Sequence, residues 1–299
     1  MIYNTLKIFS QNVCKNTLTV NTIFKTHCYF NIILIQESPW SIICLIPSLT
    51  CSEGEVLVGA PHHPNLLSFA RPPVTQSDFP RVLAYINIYL SSFRFSLCRD
   101  IINHRDILLI SFFTNNICSF IMNIYSDTSH SALKYLKNTK MNINNLLIMT
   151  SDFNIRHWLW DPSFSHHSSI SDDLFILADS FNLDLLLPTN PVLTRYFDTI
   201  GESDSVIDLI FLHSGLSELN NHMIHLDWRL TSNHAPLTVT ISIEEEFVQT
   251  AKLSLPKKSD EKKAFVKEVS SIIKFLNTLN LLNQESLELA INLLAARIE

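Results

Sequence analysis

A short apolar run that leads into a carboxylate and an amide is the feature that most constrains this chain. Residues 146–149 read Leu-Leu-Ile-Met, and residues 151–154 read Ser-Asp-Phe-Asn. Four consecutive apolar residues between polar ones are typical of a buried central strand. In α/β sheets, ligands bind beyond the carboxyl ends of such strands. Because turns also favour Asp and Asn for local hydrogen bonds, the motif indicates a site only if the pattern recurs.

The pattern does recur along the chain. Apolar runs that end in Asn12, Glu37 and Tyr125 each place a polar group at a strand end. Asp208 lies inside the apolar run SVIDLIFL, where a charge is costly unless it is paired, and His234 precedes the last apolar stretch. The predicted strands are residues 5–13, 31–37, 82–90, 107–113, 117–125, 146–149, 205–212 and the end of 231–241.

Helical patterns lie between these strands. The mixed stretch before Phe30 and residues 129–140, with Ser129 as the N-cap, are predicted helices, and a third begins at Ser171. Residues 47–80 hold six of the twelve Pro and two of the four Gly residues, so they predict loops and edge strands. Because helices separate some strands while other strands are consecutive, we expect an α/β (α+β) fold with mixed sheets packed face to face.

Length and composition exclude several classes of protein. The chain has 299 residues, of which 46% are hydrophobic, enough for one large domain or two small ones. Polar residues interrupt its apolar stretches before they reach the roughly 18 residues of a membrane span, and no signal peptide is evident. The six Cys residues lack the close spacing of a zinc site, which predicts reduced thiols in a cytosolic or nuclear protein.

The formal net charge of −6 argues against binding nucleic acid by bulk charge alone. It does not exclude a phosphodiesterase, because such an enzyme needs carboxylates at its centre and a bound cation offsets them.

A change of composition at residue 244 predicts a domain boundary. Residues 244–299 carry 8 of the 22 Lys and Arg residues and no strand pattern. Ser259 and Ser286 each precede an apolar face with helical spacing. We therefore expect a strand-rich domain over residues 1–243 and a helical connector over residues 244–299, in a chain that continues beyond this point.

The polar groups at the strand ends share one chemistry. Carboxylate and amide oxygens are the ligands that Mg²⁺ prefers, and an Asp with a His suits proton transfer and orientation. Together they are what metal-assisted attack of water on a phosphodiester requires. The residues in question are Asn12, Glu37, Tyr125, Asp152, Asn154, Asp208, Asn233 and His234.

The ordered motifs resemble a known family. They read QNV, IQE, NIYSD, SDFNIRHWLWDP, SVIDLIF and TSNHAPL, and the resemblance covers roughly residues 5–243. This series resembles the endonuclease/exonuclease/phosphatase superfamily, and in particular the endonuclease domain of non-LTR (LINE-type) retrotransposons of the fungal reverse-transcriptase-linked branch. The resemblance implies a deoxyribonuclease I-like fold, a four-layer α/β sandwich of two packed mixed β-sheets flanked by helices.

The resemblance also implies how a metal would be held. Glu37 would be the main ligand of Mg²⁺ or Mn²⁺, with Asn12 in support. Asn233 would be a further ligand, since the family has Ser-Asp-His where this chain reads Ser-Asn-His. Asn keeps a carbonyl oxygen but lacks the negative charge, so the cation would bind more weakly.

For the reaction itself, the resemblance assigns one role to each remaining residue. Tyr125 would contact the scissile phosphate, and Asp152 would align or deprotonate the attacking water. Asn154 would orient that water or the phosphate. Asp208 would be the buried partner that orients His234, and His234 would stabilise the charge that builds on the phosphate.

The segment after the Asp-Phe-Asn motif carries two further expectations. Arg156 would face DNA, and Trp160 would be structural. Ser151 stands where the family usually has Gly. If that Gly had a positive φ, Ser would add strain of about 1 kcal/mol, and otherwise the change would be neutral.

The implied activity is a Mg²⁺-dependent nick in one strand of double-stranded DNA. The resulting 3′-hydroxyl would prime a reverse transcriptase in the same polyprotein, so the protein would act in the nucleus and not at a membrane. Two alternatives stay open. The chain is a folded but inactive relic, which Asn233 favours, or it is a hydrolase of the same superfamily that acts on another phosphodiester.

Overall fold

The computed structural model describes residues 5–46, 55–59, 63–73, 78–114, 117–139, 141, 143–166, 168–189, 192–197, 203–219 and 221–242. The predicted connector over residues 244–299 lies outside this part of the chain. Within the described residues, no helix is long and apolar enough to cross a membrane.

Fourteen strands and three α-helices make up the described fold. The strands are β1 (Thr5–Asn12), β2 (Ile32–Gln36), β3 (Ser41–Ile46), β4 (Glu55–Gly59), β5 (Leu66–Phe69), β6 (Val82–Asn87), β7 (Ser96–Leu97), β8 (Ile107–Thr114), β9 (Ile117–Tyr125), β10 (Leu146–Asp152), β11 (Leu183–Leu185), β12 (Asp208–His213), β13 (Asn221–Ile224) and β14 (Leu237–Ser242). The helices are α1 (Thr17–His27), α2 (Ser131–Asn138) and α3 (Ser169–Ser180).

Two mixed six-stranded sheets form the body of this part of the chain. The first has the order β13-β14-β1-β2-β6-β5, and the second has the order β11-β12-β10-β9-β8-β7. Each sheet has one parallel pair at its centre, β1 with β2 and β9 with β10, and antiparallel pairs around it. Strands β3 and β4 form a separate hairpin. All eight predicted strands are present, and β5 is an edge strand inside the predicted loop segment.

Three apolar layers order the sheets and helices as a four-layer sandwich. The central layer joins Ile8 and Leu34 of the first sheet to Ile110 and Ile148 of the second. The outer face of the first sheet packs against α1, and the outer face of the second packs against α2 and α3. The predicted architecture of two packed mixed sheets flanked by helices is therefore confirmed.

Two predicted helix starts differ from the structure. Ser129 does not cap α2, because His130 is the N-cap residue and the Ser129 hydroxyl donates to Asp127 at 2.7 Å. The Asp127 carboxylate accepts a hydrogen bond from the Ser131 N–H at 3.2 Å, and so pairs one of the free N–H groups in the first turn of α2. Helix α3 begins two residues before the predicted Ser171, a difference of the size that is usual for helix ends.

Candidate active site

The strand register brings the predicted site residues to one end of the sandwich. In the first sheet, Asn12 pairs with Gln36, which directly precedes Glu37. In the second sheet, Asp152 lies between its register partners Tyr125 and Asp208. The two sheets face each other, so polar groups from both converge where β1, β2, β9 and β10 end.

One amide joins the two sheets at this point. The Asn12 Nδ2 group donates to Glu37 Oε2 at 3.1 Å and to Asp152 Oδ2 at 2.8 Å. Its Oδ1 accepts from the Cys14 N–H at 2.8 Å. Asn12 is fully buried, and these three hydrogen bonds fix its amide between the two sheets.

Glu37 is held in an unusual backbone conformation. Its φ of 48° lies in the left-handed region, where a non-glycine residue needs support from its surroundings. That support comes from the Glu37 N–H, which donates to the Arg81 carbonyl at 2.7 Å, and from the Lys15 N–H, which donates to the Glu37 carbonyl at 2.7 Å. The Glu37 carboxylate is thereby fixed beside Asn12.

Tyr125 faces the same carboxylate from the second sheet. Burial raises the pKa of its hydroxyl, and the charges of Glu37 and Asp152 raise it further. The hydroxyl is near enough to Glu37 for that carboxylate to raise its pKa, and the Arg81 guanidinium lies 4.6 Å from the ring centroid. Tyr125 is therefore a neutral donor at physiological pH.

A buried imidazole lies between two carboxylates. His234 Nδ1 lies 3.0 and 2.9 Å from the two Asp208 oxygens, and its Nε2 lies 3.8 Å from Asp152 Oδ2. Asp208 is itself positioned by its backbone N–H, which donates to Thr194 Oγ1 at 3.1 Å. The partner that a buried Asp208 requires is thus His234.

The proton affinities in this group follow from that arrangement. Burial alone would lower the pKa of His234, but the charges of Asp208 and Asp152 raise it to about 9. Burial raises the pKa of Asp152 to about 7, against the opposing effect of His234. Near neutral pH, His234 therefore carries a proton, and Asp152 is poised to gain or lose one.

Backbone anchors hold His234 to the first sheet. The Ser232 hydroxyl donates to the Asn12 carbonyl at 2.7 Å and accepts from the His234 N–H at 3.0 Å. Gln11 Nε2 donates to the His234 carbonyl at 2.9 Å. These contacts explain why a Ser precedes the His by two residues, a signal that the motif TSNH contained.

Asn154 turns back over Asp152. It has a φ of 51°, and its N–H donates to Asp152 Oδ1 at 3.1 Å. Its Nδ2 donates to the Ser126 carbonyl at 2.7 Å, and its Oδ1 accepts from Arg195 Nη1 at 3.3 Å. Arg195 was not identified from the sequence, since it lies between apolar runs with no motif around it.

Asn233 contacts a thiol. Its Oδ1 accepts a hydrogen bond from Cys14 Sγ at 2.7 Å. Burial raises the pKa of the Cys14 thiol, which favours the protonated donor. Cys14 thus links Asn233 to Asn12, and no sequence pattern indicated this role.

Three neighbouring positions have structural contacts. Arg156 Nε lies 2.7 Å from Asp161 Oδ2, and its Nη2 donates to Ser163, so its role toward DNA stays a prediction. Trp160 is buried, and its Nε1 donates to the Ile155 carbonyl at 3.2 Å, as a structural role requires. Ser151 lies within β10 and outside the left-handed region, so the change from Gly adds no strain.

The donor set fits a hard divalent cation. Glu37 and Asp152 contribute carboxylate oxygens on either side of the Asn12 amide, and Mg²⁺ and Mn²⁺ prefer such oxygen ligands. Ligand atoms of Asp152, Asp208 and His234 also lie within 4.8 Å of one another. That second group is less suited to a metal, because both Asp208 oxygens already contact the His234 nitrogen.

The chain has a family match. Residues 119–238 match the sequence model of the family described as endonuclease-reverse transcriptase. This segment includes Tyr125, Asp152, Asn154, Asp208 and His234. No curated protein sequence matches the chain.

Solved structures share the fold. The endonuclease domain of TRAS1, a telomere-specific non-LTR retrotransposon, superposes with a TM-score of 0.58 at 14% identity, over 80% of this chain and 99% of that one. The AP endonuclease LMAP from Leishmania major superposes with a TM-score of 0.57 at 10% identity, over 81% and 89%. The family match includes four of the six motifs, from NIYSD to TSNHAPL, and agrees with the resemblance there, and the solved structures show the expected deoxyribonuclease I-like fold.

Proposed function

We propose that this chain, which has the endonuclease/exonuclease/phosphatase fold and matches the endonuclease-reverse transcriptase family over residues 119–238, is a divalent-metal-dependent phosphodiesterase that nicks double-stranded DNA. One observation carries the proposal. His234, held by Asp208, lies beside Asp152, and Asn12 joins Asp152 to Glu37.

The residues divide the reaction between them. Glu37, with Asn12 in support, would hold Mg²⁺ or Mn²⁺, which would supply Lewis-acid stabilisation of the phosphoryl oxygen and lower the pKa of bound water. Asp152, with a pKa near 7, accepts a proton from the attacking water. His234 donates to the phosphate as its negative charge builds.

Three further groups act on the substrate. Tyr125, a neutral hydroxyl near Glu37, donates its hydrogen to a phosphate oxygen of the substrate. Asn154 orients the phosphate, and Arg195, which bonds to Asn154, adds a positive charge at the same edge. Asn233, whose Oδ1 accepts from Cys14 Sγ, would offer the cation a neutral oxygen and no charge.

The biological setting follows from the family. The nick would leave a 3′-hydroxyl that primes a reverse transcriptase in the same polyprotein. Residues 244–299 would connect the two domains, and the protein would act in the nucleus. The description of the matching family supports the link to a reverse transcriptase.

A supercoiled-plasmid assay tests the activity. We expect the chain to convert supercoiled DNA to nicked circles with Mg²⁺ and to stop when EDTA is added. Asp152→Asn removes the proton acceptor and should abolish nicking. Asp173→Asn is the matched control, since it makes the same chemical change at the Lys137 surface pair. Circular dichroism should show that both variants are folded.

The outcomes separate the assignments. Nicking by Asp152→Asn at the rate of the unaltered chain would show that the site is wrongly assigned. Nicking that continues in EDTA would contradict the proposed metal dependence. Loss of activity in Asp173→Asn as well would mean that the assay reports stability and not chemistry.

The second candidate is a folded but inactive copy of such an enzyme. It is favoured by Asn233, which adds no negative charge to those of Glu37 and Asp152. Asn233→Asp should then restore nicking, or lower the Mg²⁺ concentration for half-maximal activity by about tenfold, because ligand charge tunes cation affinity. The exposed Asn144→Asp is the control. If neither the unaltered chain nor Asn233→Asp nicks DNA, the inactive copy is the better reading.

A further inference from the structure

A cavity of about 570 Å³ adjoins Glu37 at the edge of the candidate active site. Its volume is within the range of small-molecule sites. Most of its lining comes from the segments at the end of the first sheet where Glu37 lies. The described lining comprises Lys15, Thr17, residues 37–40, residues 79–81 and Arg105. The cavity therefore shares one residue with the candidate active site and is otherwise built from side chains that the proposed reaction does not use.

Two aromatic rings make part of this lining apolar. Trp40 is partly buried, and it both packs against the apolar layer beneath α1 and lines the cavity. Phe79 is also partly buried and lines the cavity next to Pro80. Because Trp40 is held by core residues, it offers a fixed surface on which another ring can stack.

Three cationic side chains share the lining with one carboxylate, that of Glu37. Arg81 is committed to an ion pair with the fully buried Asp106. Lys15 is exposed, and the Arg105 side chain is 41% exposed, with its Nε 3.7 Å from Asp106 Oδ2. The charges of Lys15 and Arg105 are therefore accessible to an anionic ligand.

This lining fits a ligand that has both a flat ring and a negative charge. A purely apolar ligand would remove water from Lys15 and Arg105 without pairing their charges, and an inorganic anion would leave the Trp40 ring uncovered. A nucleotide has both parts, and proteins that bind unpaired nucleotides combine basic side chains with aromatic ones on which the bases stack. Since neighbouring bases cover both faces of a base inside a duplex, only a base outside the stack could lie against Trp40.

We propose that this cavity binds one unpaired nucleotide of the DNA substrate, with the base against Trp40 and Phe79 and the phosphate at Lys15 and Arg105. The proposal rests on the proposed function, because it takes DNA to be the substrate. Moving a paired base out of a duplex costs free energy, and this cost is smallest for a base that is already unpaired. The protein should therefore prefer DNA that has an unpaired nucleotide beside the position of cleavage.

A fluorescent base tests this preference. Two duplexes share one strand that contains 2-aminopurine, which is a single-nucleotide bulge in one duplex and pairs with thymine in the other. Titration with the full chain in EDTA, where no cleavage is expected, should give a dissociation constant about tenfold lower for the bulged duplex, the effect of one base stacked on an aromatic side chain. Binding should also quench the fluorescence of the bulged base, because stacking on a ring quenches 2-aminopurine.

Two pairs of variants locate the site. Trp40→Ala removes the stacking surface and should bind both duplexes about equally, whereas Tyr89→Ala removes an exposed ring beyond the opposite end of β6 and should keep the preference. Lys15→Met should lower the slope of log affinity against log salt concentration by about 0.7 for the bulged duplex, the value for one phosphate of a single strand. Lys25→Met, at the other end of α1, is the matched control and should leave the slope unchanged.

The outcomes separate this proposal from the proposed function. Equal binding of the two duplexes by the unaltered chain, or a preference that survives Trp40→Ala, would overturn the cavity assignment and leave the nuclease function standing. Free deoxyadenosine monophosphate that binds as tightly as the bulged duplex would overturn the assignment to DNA. Binding of neither duplex would also overturn it, and the plasmid assay then tests the nuclease function separately. If Trp40→Ala does not fold, the two duplexes on the unaltered chain and the Lys15→Met slope still decide.

Discussion

Replacing Asp208 with Asn is the sharpest test of how the buried imidazole works. The change is isosteric, and an Asn oxygen still accepts from His234 Nδ1, so the geometry is kept while the charge is removed. If His234 acts as a cation, losing its counter-charge should lower both its proton affinity and the rate of nicking. If His234 only fills space, neither should change.

The structure gives the size of the effect. The pKa of His234 is raised from 6.5 to about 9, which corresponds to about 3 kcal/mol in favour of the imidazolium, since a tenfold change in proton affinity is worth about 1.4 kcal/mol. Asp208 contacts the ring at 2.9 Å, whereas Asp152 lies at 3.8 Å. Burial opposes this net shift, so the two charges together contribute more than the net value, and the loss of Asp208, the nearer and stronger of them, should lower the pKa of His234 by about one unit or more.

Two measurements follow, and one result refutes the reasoning. Titration of the His234 Cε1 proton by NMR, in EDTA, should show the lower pKa in Asp208→Asn and no change in the Asp173→Asn control. Single-turnover nicking at pH 7 should slow about 100-fold or more, the usual contribution of a positioned proton donor. A His234 titration that is the same in Asp208→Asn as in the unaltered chain would show that the ion pair does not set its protonation.

Further predictions concern stability and the Asn12 amide. In the folded protein the pKa of Asp152 is about 7 instead of 3.8, and the pKa of His234 is about 9 instead of 6.5. Each raised pKa stabilises the fold fully below the ordinary pKa, and this stabilisation is lost as the pH rises through the folded pKa. Urea unfolding in EDTA should therefore give a lower free energy at pH 9 than at pH 6, and a rise would contradict the raised pKa values. Ser151→Gly should cost about 1 kcal/mol through chain entropy, whereas Ser151→Ala should be neutral or stabilising because the buried hydroxyl has no partner; urea midpoints that reverse this order would show that the position favours Gly. Asn12→Ala should cost about 2 kcal/mol by leaving Glu37 and Asp152 without their shared donor, and added Mg²⁺ should recover part of the loss in a thermal melt.

Much of this arrangement was accessible from the sequence, because each strand carries its own signal. A run such as residues 146–149 is buried on both faces, and burial makes it uniformly apolar. The polar residue that ends the run is then conspicuous, as Asp152 is. What the runs do not reveal is which strands are neighbours. That Asp152 lies between Tyr125 and Asp208 is a matter of register between strands far apart in sequence.

The remaining site residues lie where local patterns carry little information. Arg195, Thr194 and Cys14 occupy loops, and a loop residue gains its role from contacts across the fold. Ser129 illustrates the limit in another way. It has the right residue type for a helix cap, but the Asp127 carboxylate accepts the hydrogen bond from the Ser131 N–H in the first turn of α2 instead.

A polar layer beneath the site explains how two separate sheets hold it in place. Ser10, Asn123 and Thr150 each lie two residues before Asn12, Tyr125 and Asp152, and so on the same faces of their strands. Gln36 donates to Ser10 at 3.0 Å and to Asn123 at 2.6 Å, and Thr150 donates to Ser10 at 3.0 Å.

These four residues join the sheets by hydrogen bonds in an otherwise apolar interior. A shift of one residue in any of their strands would turn a polar group away from its partners and leave the others buried and unsatisfied, at about 1–3 kcal/mol each. Apolar packing tolerates small slips between sheets far better than such a network does. The layer therefore selects the one register in which Asn12 lies against Asp152, and the geometry of the candidate site depends on residues that would touch neither metal nor DNA.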